Sequence, residues 1–336
     1  MNRRQARSAS LIAPMTNAPL PSSFDALRSR LARQLATAAD GQPQWRELVV
    51  TLPILRRALA PRGRAHSWDE PFRWKPVFVR RSLGLAAIEA CVRGDFRAPA
   101  EAVGPVADEA VVAWKASGWR TYHWEPWLAW LPTGARAVVI AEAVRWATQL
   151  WCALEWAELG PELRIGGADD QWACPPNGAV RLRGRVDIRV PLSSGGATAP
   201  TECPFGGREA GGRAEGPTQC REALVVTAGG VPPQNWETDL AFPALVSVLH
   251  RPRQLAPWRV MGIWPDAGVE RTVEIDAELL DRVARRVVAA VARLNRPPDV
   301  GYSDGRSGPA APNSARAAFP SGFPAAVSGI SSTTSS

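Results

Sequence analysis

Residues 180–190, VRLRGRVDIRV, leave a chain little freedom. Val180, Leu182, Gly184, Val186, Ile188 and Val190 fall on one side of an extended backbone. Arg181, Arg183, Arg185, Asp187 and Arg189 fall on the other. A period of two predicts a strand with one apolar and one charged face, so the chain must build a sheet around this segment. One carboxylate stands among four guanidinium groups, which makes Asp187 the residue to explain. It is either a metal ligand or an ordinary charge on a wet sheet face. Arg185 and Arg189, roughly 6–7 Å away along the strand, would hold it ionised. The wet face is the reading expected.

The elements around this run fall into a regular order. Residues 137–159 predict a long helix with a stripe of Ile140, Val144, Ala147, Trp151 and Leu154. Residues 222–228, 258–264 and 269–275 predict strands, and residues 237–250 a helix with Pro243 near its first turn. Asp276 predicts the cap of a helix over 277–295, whose stripe is Leu280, Val283, Val287, Val291 and Leu294. Further helices are expected over 24–37, with Ser23 as cap, and over 82–92. The order strand, strand, helix, strand, strand, helix predicts an α/β core with a mixed sheet over 166–296. A mostly helical, basic region spans 22–165. Residues 1–21 and 297–336 read as disordered tails, and residues 191–221, with seven Gly and four Pro, as a mobile loop. The segment GWRTYHWEPWLAW (118–130) places Trp124, Trp127 and Leu128 on one helical face, which predicts core packing rather than base stacking.

Charge adds a second clue. The net charge is +8, and 38 of the 40 basic residues are Arg, a bias that GC-rich coding would also produce. Residues 1–100 hold 17 basic and 7 acidic side chains, whereas the remainder holds 23 and 25. A basic N-terminal third suggests a polyanionic partner such as DNA. Arg62, Arg64, Arg73, Lys75, Arg80 and Arg81 are the expected phosphate contacts, with Arg185 and Arg189 on the strand. Trp68 and Trp74 stand among them, placed to stack on bases. Five scattered cysteines without a C-x-x-C pair argue against structural zinc and suit a reducing cytoplasm. No apolar run is long enough for a membrane span or a signal-peptide core, so no membrane partner is expected. No phosphate-loop, dinucleotide or Ser-His-Asp pattern stands out.

Three pieces of the chain together resemble the PD-(D/E)XK nuclease superfamily, in its RecB-like branch, over roughly residues 137–295. LRGRVDIRV looks like the family strand that ends in a metal-binding Asp, here Asp187. ALVVTAGG sits where the family has a strand carrying an acidic residue, a spacer and a Lys. DLAFPALVSVLH resembles the amphipathic helix that follows, and RVMGIWPDAG the later hairpin. The resemblance implies a restriction-endonuclease-like core. It also implies a magnesium ion held by two carboxylates, with a Lys that helps to activate water. Here the second acidic position falls on Thr227 and the Lys position on Gly229, and no lysine follows Lys115. The cysteines that hold an iron–sulfur cluster in this branch have no counterpart after Leu294.

The leading expectation is therefore a catalytically degenerate nuclease-like protein, without a cofactor, that binds nucleic acid or assembles a complex. An active, magnesium-dependent phosphodiesterase would need migrated ligands, with Asp187 joined by Glu142, Glu237 or Asp239. Arg185 or Arg189 would supply charge but no base, because Arg stays protonated. A third possibility is a non-catalytic scaffold that binds a protein partner through its Trp-rich surface.

Overall fold

The structure is a computed structural model that describes residues 24–40, 47–60, 76–116, 124–160, 162–166, 169–174, 179–192, 221–251 and 256–295. Outside these residues lie both expected tails, the loop core 193–220, Ser23, Arg62, Arg64, Trp68, Arg73, Trp74, Lys75 and the start of the Trp-rich segment.

Among the described residues the helices are α1 (Asp25–Ala38), α2 (Leu52–Leu59), α3 (Pro76–Arg93), α4 (Pro99–Ala116), α5 (Trp124–Trp130), α6 (Thr133–Trp151), α7 (Trp236–His250) and α8 (Ala277–Leu294). The strands are β1 (Leu48–Val50), β2 (Arg164–Ile165), β3 (Asp170–Ala173), β4 (Val180–Gly184), β5 (Ile188–Leu192), β6 (Arg221–Thr227), β7 (Ala256–Trp264) and β8 (Val269–Glu274). The chain is thus α/β with mixed sheets. A three-stranded sheet has the order β1-β4-β3 and a five-stranded sheet the order β2-β5-β6-β7-β8. None of the described helices is long and apolar enough to cross a membrane.

The five-stranded sheet is covered on both faces, and the sequence of its centre shows why. β6 and β7 pair in parallel through the crossover helix α7, and both are near-continuous apolar runs, as strands buried on two faces must be. Alternate residues enter different cores. Leu224 and Val226 face α7, α8 and the short helices α1 and α2. Ala223 and Val225, with Ile188, Val190, Met261 and Ile263, face α3, α4 and α6. Fully burying a side chain of this size contributes about 1.5–3 kcal/mol, so each helical layer is held by its own apolar contact with the sheet. The α8 stripe meets the expectation at Leu280, Val283, Val287 and Val291, all buried. The Asp276 side chain accepts from Leu279 N at 2.7 Å, which satisfies one orphan amide of the first turn.

Three expectations need correction. Residues 180–190 do not form one strand: the chain bends at residues 185–187 and leaves one sheet for the other. The expected helix over 137–159 ends at Trp151 and resumes as a 3-10 turn, Trp156–Leu159. Its most buried face is Val139, Ala143, Trp146, Ala147 and Leu150, with Trp146 packed against Gly84 of α3; of the expected stripe Ala147 and Leu154 are buried, and Ile140, Val144 and Trp151 pack at the edge of the same core. Helix α3 begins at Pro76, not residue 82, which puts Arg80 and Arg81 inside the helix. A proline suits the first helical position, where its missing N–H would have no partner. In the Trp-rich segment Leu128 is buried and Trp124 and Trp127 pack against the α3–α4–α6 core, as core packing requires.

Candidate functional site

The bend at residues 185–187 carries Asp187 to the point where β5 starts and β6 ends. The backbone holds it there on both sides. Asp187 N donates to Val225 O at 3.0 Å, and Gly166 N donates to Asp187 O at 2.7 Å. The side chain then turns toward α3. Thr227 N donates to Asp187 Oδ2 at 2.6 Å and the Thr227 hydroxyl donates to the same oxygen at 2.9 Å. Arg81 Nε donates to Oδ1 at 3.0 Å, and Arg81 Nη2 donates to Oδ2, making a two-pronged pair. Arg185 Nε lies 3.5 Å from Oδ1.

The carboxylate is 1% exposed, so the expectation of a wet sheet face is wrong. The physical reason is the bend, which removes Asp187 from the alternation and presses it under Arg81. Burial alone would raise its pKa. Arg81, Arg185, the Arg81 hydrogen bonds and the Thr227 amide outweigh that and hold the carboxyl below its ordinary value. A carboxylate offers about four acceptor sites, and four donors from Thr227 and Arg81 already fill them. A divalent ion would have to displace Arg81. The position expected for a second carboxylate carries Thr227, a donor, and Gly229 carries no side chain. The residues present therefore do not fit a magnesium site.

A second carboxylate lies against Gly229, two residues past Thr227. Asp266, in the turn after β7, pairs with Arg80 Nη2 at 3.1 Å and has Arg145 Nη2 of α6 at 3.9 Å. A β-carbon placed on Gly229 would meet only Asp266 Oδ2, at 3.8 Å. Arg81 and Arg185 thus pair with Asp187, and Arg80 and Arg145 with Asp266. Arg185 is pushed below its usual range, first by burial and then by Arg81, against the opposing pull of Asp187 and Asp169.

On the other face of β5, Arg189 is also buried, at 7% exposure, rather than free on a wet face. Its Nη1 donates to Glu222 Oε1 at 2.8 Å and to Ser247 Oγ at 3.3 Å, while Nη2 donates to Asp170. Arg251 lies 3.3 Å from Asp170. Burial raises the Glu222 pKa against the pull of Arg189 and Arg251, and Asp170 adds to the rise.

The residues considered for a metal centre do not converge. Asp239 is buried and pairs with Arg56 of α2 at 2.8 Å, on the α7 side of the sheet. Glu237 is exposed in the first turn of α7 and Glu142 half-buried on α6, and neither is among the groups that act on the Asp187 carboxyl. Among the described residues no three His, Cys, Asp or Glu side chains gather as they would around a metal ion. Of the expected phosphate contacts, Arg80, Arg81 and Arg189 are spent on internal pairs. Arg185 keeps about a third of its side chain exposed. The sequence reading missed Asp266, which sits in a segment legible only as a turn, and missed Arg81 as the partner of Asp187.

Comparison with known proteins returns no matching protein-family model, no matching curated protein and no matching solved structure.

Proposed function

We propose that this chain is a catalytically degenerate protein of the PD-(D/E)XK nuclease kind, with a restriction-endonuclease-like core. It acts as a nucleic-acid-binding or assembly module. The observation that carries the reading is the saturation of Asp187. Arg81 supplies the positive charge that a divalent ion would bring to this carboxylate, and Thr227 donates where a second carboxylate would accept. Arg81 cannot serve as a general base, because it stays protonated. The strand–helix–strand order around the site supports the resemblance, and the excess of guanidinium over carboxylate supports an anionic partner.

The test is incubation of purified protein with single- and double-stranded DNA in magnesium or manganese. No cleavage is expected. Robust cleavage that disappears in Asp187→Ala would overturn the reading and restore the active enzyme. The scaffold reading has one observation in its favour: Trp130 and Val112, on neighbouring helices, are 69% and 65% exposed.

A further inference from the structure

We propose that the guanidinium cluster at the β5–β6 end of the sheet binds the phosphodiester backbone of a nucleic acid directly, through Arg185 and Arg145. This deepens the binding reading above and rests on it. Arg80, Arg81, Arg145 and Arg185 face Asp187 and Asp266, which leaves two positive charges uncompensated in a partly dry site. Adding Asp169 with its own partner Arg183, 2.7 Å away, changes nothing. Counting Glu142, one turn before Arg145 on α6, still leaves one.

The cations divide by how firmly they are held. Arg81 is locked on Asp187 by two hydrogen bonds. Arg80 is 9% exposed and holds Asp266, yet its buried Nε has no hydrogen-bond partner. Arg185 and Arg145 are different. They touch the carboxylates only at 3.5 and 3.9 Å, and their side chains are 37% and 63% exposed. One stands at the Asp187 end of the cluster and the other at the Asp266 end. Gly229 and Gly230, just past Thr227, are exposed, and beside Gly229 only Asp266 lies within reach of an added β-carbon. A surface that carries exposed guanidinium on Arg185 and Arg145 and exposed glycine backbone at residues 229 and 230 leaves room for a chain of oxyanions. Guanidinium groups pair with phosphate through parallel N–H donors, which fits them to this ligand.

The experiment uses the full chain and a fluorescein-labelled single-stranded oligothymidylate, with anisotropy read across a salt series. Each phosphate contact on a single strand contributes about 0.7 to the slope of log K against log salt. Arg185→Gln and Arg145→Gln should each lower affinity several-fold at low salt and reduce the slope by about 0.7. Arg282→Gln, on the exposed face of α8, should match the wild type. If the wild type binds and both cluster variants bind with its affinity and slope, this site is refuted while nucleic-acid binding by the chain survives. If the wild type shows no binding at low salt, both readings fall. If inorganic phosphate displaces the oligonucleotide no better than chloride does at equal ionic strength, the cluster does not recognise phosphate oxygens and the backbone assignment is refuted. Arg145→Gln keeps the test sound should Arg185→Gln unfold, since Arg145 is the more exposed and more loosely held of the two.

Discussion

Replacing Asp187 by Asn removes one charge and adds almost no volume, so its effect isolates the electrostatics of the site. In the wild type Oδ2 accepts from Thr227 N, Thr227 Oγ1 and Arg81 Nη2, and Oδ1 accepts from Arg81 Nε. An amide has one acceptor oxygen and one NH2 group. In either orientation the NH2 meets donors, and Arg81, only 20% exposed, loses its counter-charge. Breaking a buried pair by neutralising one partner costs about 3–5 kcal/mol. For a domain of this size each kcal/mol lowers Tm by about 2–4 °C, so the expected fall is roughly 6–20 °C. Circular dichroism melts of wild type and Asp187→Asn measure it directly. The double variant Asp187→Leu with Arg81→Leu should recover part of the loss, because neither charge of the pair is left unpaired, while Thr227 N and Oγ1 still lose their acceptor. A fall within the range of a surface ion pair, about 0–1 kcal/mol, would refute the buried clasp and return Asp187 to solvent.

Three further expectations concern pH and packing. The Asp187 carboxyl is held below its ordinary 3.8, so its contribution is present at neutral pH and disappears as pH falls below that value. The Glu222 carboxyl is held above 4.5, so the folded state keeps its proton longer than the unfolded chain and stability declines as pH rises through the window above 4.5. Urea unfolding across pH should show that decline in the wild type and a flatter profile in Glu222→Gln; identical profiles would exclude the assignment. Gly184→Ala should cost about 1–3 kcal/mol by overpacking, because the new β-carbon would lie 2.9 Å from Val246 Cβ and 3.2 Å from Pro243 Cα. A lower urea midpoint with an unchanged m-value is the expected signature, and an unchanged midpoint would refute the close crossing of β4 over α7.

Much of the second half of the fold was legible, and the reasons are local. The strands and helices from β6 to α8 match the expected segments to within a few residues, because each carries its own periodicity and Asp276 marks a helix start within three residues of its partner amide. The site was less legible. Residues 180–190 keep perfect alternation through the bend, so nothing in the pattern reveals that β4 and β5 belong to different sheets. The charged positions read as a wet face because a single strand cannot show what covers it. Arg81 lies 106 residues from Asp187, and Arg189 reaches Glu222 33 residues away. Pairings at such separations leave no trace in composition or spacing. Strand β1 has only three residues, too short for any period to emerge.

The clasps on the two faces of β5 constrain how the chain reaches its native state. Neither Asp187 nor Arg189 can leave water alone without a large cost, since an unpaired buried charge is expensive. Their partners arrive from α3, 106 residues upstream, and from β3 and β6, 19 and 33 residues away on opposite sides in sequence. β5 therefore has no half-docked resting place: it joins the sheet when the helical layer above and the strands beside it are already in register. Such non-local pairing raises contact order and slows folding, so the segment that looks most like an autonomous strand in the sequence is one whose charges depend on residues up to 106 positions away.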